Sequence, residues 1–174
     1  MRRALVVGGA NGIGLSIALQ LAERGGVEKV YVVDRASLDP QYAHHKIETF
    51  EFDLTSSDFG FFDRFTDIDT LMVTAGFGHL ALFKDITEDY IISSMNVNAT
   101  AVMRLVHRFY GRIASADDFY CGVMVSIAGF MSSPFFSVYG ASKAALKIFI
   151  ESVNVELEKG GFSHRILNVS PGSI

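Results

Sequence analysis

The chain has 174 residues, 49% hydrophobic and 20% charged, with a net charge of −4, a composition that excludes disordered, collagen-like and membrane-embedded classes and leaves a globular domain. No run of like charges builds a basic stripe, which argues against nucleic acid and for a small-molecule partner. The single cysteine, Cys121, excludes an intrachain disulfide framework and reads as a core thiol in a reducing, cytoplasmic setting.

The first stretch, "RALVVGG" (3 to 9), reads as a strand rather than a leader peptide, because its continuous apolar run ends at Val7. Glycines at 8, 12 and 14 come next, with Ile13, Ile17 and Leu21 opening a helical stripe over 12 to 25. Further strands are expected at "KVYVVD" (29 to 34), "KIETFEFD" (46 to 53), "DTLMVTAG" (69 to 76), "GVMVSIAG" (122 to 129) and "RILNVSPG" (165 to 172). Helices are expected at 87 to 114 and 138 to 159, with shorter pieces near 38 to 43 and 57 to 66. Most strands are continuously apolar, the mark of burial on both faces. Alternating β and α elements predict an α/β fold of the Rossmann type, a doubly wound parallel sheet with helices on both faces and strand order 3-2-1-4-5-6. No linker or internal repeat divides residues 1 to 174, so one domain is expected. No apolar run approaches the ~18 residues of a membrane span.

The chemistry gathers at the carboxyl ends of these strands. A strand, a glycine turn and a helix N-terminus form an anion site, because free N–H groups and the positive dipole end face a phosphate. Asp34 ends the second strand about twenty residues after Gly14, the separation of an acid that binds ribose hydroxyls in a dinucleotide site. Its charge opposes a 2′-phosphate, so NAD is favoured over NADP, although the neighbouring Arg35 is able to stack on adenine or pair with that phosphate. Asp53 ends the third strand, either as an acceptor for the adenine amino group or as a turn acid. Ala75 and Gly76 end the fourth, where small residues let backbone approach a ribose or simply make a turn.

Tyr139 and Lys143 stand four apart on one helix face, a spacing that chance alone supplies often. The pair is chemically coherent, since a phenol titrating near ~10 needs nearby positive charge to exchange protons at neutral pH. Ser126 closes the fifth strand at the ligand-binding edge. Asn98 lies in a helix opened by the cap Thr87 with Glu88 and Asp89 behind it. It shares an inward stripe with Ile91, Met95, Val102 and Leu105, so it is either structural glue or part of a proton path. Five histidines, His44, His45, His79, His107 and His164, form no ligand spacing, and no metal is expected.

Taken in order, "VGGANGIG", Asp34, Asp53, "TAG", Asn98, Ser126, Tyr139, Lys143 and "PG" at 171 to 172 resemble the short-chain dehydrogenase/reductase family, in the branch with the Gly-x-x-x-Gly-x-Gly motif. The resemblance implies an NAD(P)-dependent oxidoreductase that moves a hydride between nicotinamide and the carbinol or carbonyl carbon of a small alcohol or ketone. It implies Tyr139 as general acid/base and Ser126 as the group stabilising the substrate oxygen. Lys143 would bind nicotinamide ribose and tune the tyrosine, and Asn98 would position a water that relays protons through Lys143. The implied cofactor contacts are Gly8, Asn11, Gly12, Ile13, Gly14, Asp34, Arg35, Asp53, Leu54, Ala75, Gly76, Tyr139, Lys143, Pro171 and Gly172. A homodimer or homotetramer is implied through helices 87 to 114 and 138 to 159, which carry extra apolar positions at Ile92, Ala99, Met103 and Val106.

Three departures from the family pattern are visible. Val7 replaces a threonine before the first glycine, and Val73-Thr74 replace an Asn-Asn whose amide braces the sheet, so Thr74 is expected to restore only part of that bonding. The chain stops at "SPGSI" where relatives continue through a lid and a last strand, so the domain reads as incomplete at its C-terminus. "GFMSSPFF" (129 to 136) is either a hydrophobic substrate wall or core packing. A dinucleotide-binding regulator or scaffold that keeps the fold without turnover is the other function class compatible with these residues.

Overall fold

The computed structural model describes residues 1 to 115 and 118 to 172; residues 173 and 174, at the end read as incomplete, lie outside them. Six strands form one parallel sheet in the order β3-β2-β1-β4-β5-β6, the predicted order. They are β1 (Arg3–Val7), β2 (Lys29–Asp34), β3 (Ile47–Glu51), β4 (Thr70–Val73), β5 (Tyr120–Met124) and β6 (Ile166–Val169). Most end earlier than their apolar runs, because the last residues of each run turn out of the ladder to make the loops of the carboxyl edge. Residues 127 to 129, expected in β5, form a 3₁₀ turn capped by the Ser126 hydroxyl, which accepts from the Ala128 N–H at 3.2 Å.

Among the described residues there are four α-helices. α1 (Gly12–Glu23) lies on one face, where Ala18 and Ala22 pack with Val6, Val30 and Val32. The other face of β1, through Leu5 and Val7, joins a larger core with residues of α3 (Ala101–Ile113) and α4 (Ser137–Lys159). Alternate residues of one strand thus enter two cores, as a two-sided parallel sheet requires. Leu105, Leu146, Ile150 and Leu157 are fully buried there, each contributing roughly 1.5 to 3 kcal/mol of burial free energy. Cys121 lies in this core, and burial pushes its thiol up to about 12. The stretches at 38 to 43 and 57 to 66 form only the 3₁₀ turns Pro40–Tyr42 and Gly60–Arg64. The second carries a phenylalanine cluster, Phe59, Phe62 and Phe65, whose buried rings replace a helix as cover for the sheet.

The helix expected over 87 to 114 is divided. α2 (Glu88–Met95) is capped by Thr87, whose hydroxyl accepts from the Tyr90 N–H at 3.2 Å, and Asn96–Thr100 then form a π turn before α3. The extra residue in that turn rotates α3 relative to α2, so Asn98 and Ala99 both face inward. Ala99 and Val106, expected on an outer apolar face, are in fact buried at 2% and 1% exposure. The apolar residues left outside are Ile92 on α2 and Ile148 and Val155 on α4. Among the described residues no helix is long and apolar enough to cross a membrane.

Candidate functional site

β1 delivers the chain into a turn where Gly8 adopts φ +87° and its backbone meets the end of β4. A Cβ on Gly8 would fall 2.4 Å from the Ala75 nitrogen, and one on Gly14 would fall 2.0 Å from the Gly8 carbonyl oxygen. Only glycine allows the two loops and the start of α1 to approach this closely. Asn11, the residue before α1, makes no side-chain capping bond, and the first turn of α1 holds no acid. The first N–H groups of the helix are therefore left for a ligand, with the positive dipole end behind them. Asp34 accepts from the Ala10 N–H at 3.0 Å and from the Ala36 N–H at 3.1 Å. The acid thus ties the loop to β2 while its remaining lone pairs stay open.

These residues line a cleft of about 440 Å³ that takes in every cofactor candidate from Gly8 to Gly76, including Ile13, Arg35 and Leu54. Asp53 is a turn acid at the wall of the cleft: its carboxylate accepts from the Thr55 N–H at 2.8 Å, which, with a smaller contribution from Arg35, holds it below the usual carboxylate range. The glycine cradle, the uncapped helix end and the acid at the tip of β2 fit a dinucleotide.

Thr74 braces the loop in part, as its departure from the family pattern suggested. Its hydroxyl lies 3.1 Å from the Val7 carbonyl and 3.0 Å from the Gly8 carbonyl. One hydroxyl hydrogen serves two acceptors at the tip of β1, where an amide would bring two donors.

The polar set stands where the cleft ends. A Cβ on Gly76 would lie 3.1 Å from Asn98 Oδ1 and 3.2 Å from Lys143 Nζ, so two of the four candidates stand beside a residue of the cleft wall. Asn98 is fully buried. Its Oδ1 accepts from the Phe77 N–H at 2.9 Å, and its Nδ2 donates to the Phe77 carbonyl at 2.8 Å and to the Ser142 hydroxyl at 3.1 Å. The π turn supplies the inward position that this clamp needs. Lys143 is 3% exposed, donates to the Met124 carbonyl at 3.0 Å and lies 5.8 Å from the Tyr139 ring centroid. Burial pulls its ammonium down to about 8. The Tyr139 ring packs against the backbone of Gly78 and lies 5.7 Å from the ring of Phe136. Ser126, nearly buried, begins the turn beside α4, and Pro171 reaches the same edge because its carbonyl accepts from the Ile127 N–H at 3.1 Å. Gly172, next in the chain, is exposed.

Several participants carried no sequence signal. Phe77, Ser93 and Val97 line the cleft; Phe77 is held there by Asn98 through backbone atoms, which no side-chain pattern reveals. Ser142 accepts from Asn98 and donates to the Tyr139 carbonyl at 2.7 Å, linking two candidates from the position before Lys143. Among the described residues no group of three or more His, Cys, Asp or Glu is placed to hold a metal ion.

The family model for short chain dehydrogenases matches residues 2 to 174. An uncharacterized short-chain type dehydrogenase/reductase, y4eK of Sinorhizobium fredii, is 31% identical over 98% of this chain and 69% of its own length. Human 17-beta-hydroxysteroid dehydrogenase type 1 is 29% identical over 96% of this chain and 56% of its own. Among solved structures, the bulky-bulky ketone specific alcohol dehydrogenase from Comamonas testosteroni superimposes with a TM-score of 0.84 at 25% identity, covering 99% of this chain and 73% of that one. The chain thus spans between about half and three quarters of these relatives. With a family model matching almost every residue and a fold shared with these enzymes, the chain belongs to the short chain dehydrogenases, a family of nicotinamide-dependent oxidoreductases.

Proposed function

We propose that the chain carries the cofactor-binding and proton-transfer residues of an NAD-dependent oxidoreductase acting on a secondary alcohol or ketone. The observation that carries this reading is Gly76, a residue of the cleft wall beside which Asn98 and Lys143 stand so close that a Cβ would fall 3.1 and 3.2 Å from their polar atoms. When bound, the nicotinamide supplies or accepts the hydride. Tyr139 gives a proton to the carbonyl oxygen in reduction and removes it in oxidation. Lys143 holds positive charge near the phenol ring and meets the nicotinamide ribose, and Ser126 donates to the substrate oxygen. Asn98 acts as a positioning residue through the backbone of Phe77, beside its implied part in a water relay. Gly8, Asn11, Gly12, Ile13 and Gly14 hold the diphosphate, Asp34 the adenosine ribose, and Asp53 with Leu54 the adenine. The direct test is oxidation of NADH on addition of a ketone panel; no turnover with any ketone, by a chain that binds NADH, would remove the reading.

The choice of NAD over NADP rests on Asp34. Wild type is expected to bind NADH at least about tenfold more tightly than NADPH, since a 2′-phosphate beside a carboxylate is repelled. Asp34→Ala is expected to level the two, partly through Arg35. Superimposable wild-type titrations would overturn the assignment.

Lys143 links cofactor binding to pH. No charged side chain contributes to its lowered pKa, which comes from burial alone. An anionic dinucleotide beside it favours the ammonium, so the pKa rises on binding and a proton is taken up in the range above about 8. Titration calorimetry with NADH at about pH 9 in two buffers of different ionisation enthalpy should give different heats, and at about pH 6.5 the same heat. Buffer-independent heats at both values would contradict this.

Ile92, Ile148 and Val155 are each about half exposed on α2 and α4, which supports a homo-oligomer through these helices. Sedimentation at micromolar concentration should show a dimer or tetramer; a monomer would exclude it.

A further inference from the structure

Two loops flank Tyr139, and both turn apolar side chains toward solvent. Residues 77 to 83 run past the tyrosine at Gly78, whose backbone lies against the ring. Residues 130 to 136 reach it at Phe136. The loops are tied together by the Ala81 N–H, which donates to the Phe135 carbonyl at 3.2 Å. Between them they expose Leu80 at 64%, Phe83 at 65%, Met131 at 60% and Phe135 at 49%, with Leu82 and Phe130 also open. The expected alternative for 129 to 136, core packing, therefore does not hold for Phe130, Met131 and Phe135. Phe135 keeps its outward place in a left-handed conformation, φ +68°, which a bulky side chain adopts only at a cost.

Charge narrows the occupant. From Thr74 to Phe83 and from Ile127 to Ser137 there is no Lys, Arg, Asp or Glu and one histidine, His79; Lys143, 5.8 Å from the Tyr139 ring centroid, is buried and bonded to a carbonyl, and Lys147, 4.8 Å from the Phe130 ring centroid, is paired with Glu151 at 2.8 Å. A carboxylate or phosphate on the substrate would lose its water at this rim and find both lysines already engaged by protein partners. A neutral apolar group would instead cover surface that single exposed side chains leave wet.

We infer that the two loops select a neutral, largely apolar ketone or secondary alcohol and exclude anionic carbonyl compounds. The inference rests on the reaction proposed above and adds the substrate class to it. Each turnover in the reductive direction consumes one NADH and one proton and yields the secondary alcohol and NAD⁺.

The test uses the full chain with NADH and 2-alkanones from 2-butanone to 2-decanone, beside 2-oxo acids of the same lengths. kcat/KM should rise roughly threefold to fourfold per added methylene while the chain lies on the rim, and each oxo acid should be at least about a hundredfold poorer than the matching alkanone. Phe83→Ser, at an exposed position that leaves the core intact, should lower that slope. Binding of 2-decanone to the NADH complex is followed separately by ligand-observed NMR. Binding without turnover removes the hydride-transfer reading and leaves the substrate class standing. Oxo acids reduced as well as alkanones, or a flat alkanone series, remove the class and leave hydride transfer intact. Neither binding nor turnover of any alkanone overturns both.

Discussion

Tyr139→Phe is expected to lower ketone reduction by about 10²- to 10⁴-fold, the range for loss of a positioned general acid, while NADH binding changes little. The substitution removes one oxygen and keeps the ring, so the contacts with Gly78 and Phe136 survive. Each tenfold loss corresponds to ~1.4 kcal/mol on the barrier, so about 3 to 5 kcal/mol is asked of one hydroxyl. That is reasonable only if the proton moves in the transition state and Lys143 keeps its charge close by. A loss below about tenfold, with cofactor still bound, would mean that the proton comes from elsewhere. Cofactor titration and single-turnover rates on the same sample separate the two effects.

The second large effect is expected at the phosphate loop. Gly14→Ala places a carbon 2.0 Å from the Gly8 carbonyl oxygen and 2.4 Å from the Thr74 hydroxyl, and the first of these is backbone that cannot swing aside. Relief requires α1 to move away from β1, which opens the turn and separates the N–H groups from the anion they face. NADH affinity should fall by at least about a hundredfold, and thermal unfolding should report a loss of several kcal/mol, on the scale of overpacking in a rigid site. Gly12→Ala is the contrast. A Cβ there meets no protein atom within 4 Å, so for the fold the substitution carries only the cost of φ +54°, about 1 to 2 kcal/mol. If Gly14→Ala binds NADH as wild type does, the loop is not the anion site.

Much of this arrangement was legible in the sequence because its determinants are local. Continuous apolar runs ending in Gly, Asp or Ser announced parallel strands and the edge where ligands bind, and the glycine turn before Ile13, Ile17 and Leu21 announced the helix behind it. The missed features depend on partners far apart in sequence. The π turn arises where Asn98 reaches Phe77 across 21 positions and Ser142 across 44, and helical periodicity contains no term for such an anchor. For the same reason Ala99 was expected outside, since a regular 3.6-residue repeat carried through Asn96–Thr100 places it off the Asn98 stripe; Val106, four residues after the inward Val102, lies where a regular helix already turns it inward. Strand ends were overextended because the residues that turn out of the ladder at the carboxyl edge are nearly as small or apolar as the strand that feeds them.

The π turn also places robustness and geometry in opposition. A regular α-helix is the lower-energy course for this backbone, and the irregular one persists because the amide it presents is anchored to a loop on another element. Drift toward greater heat tolerance would favour shedding the surplus residue and closing the helix, whereas retention of the loop clamp favours keeping it. The five residues from Asn96 to Thr100 are thus where this domain carries a standing conformational debt on behalf of its site.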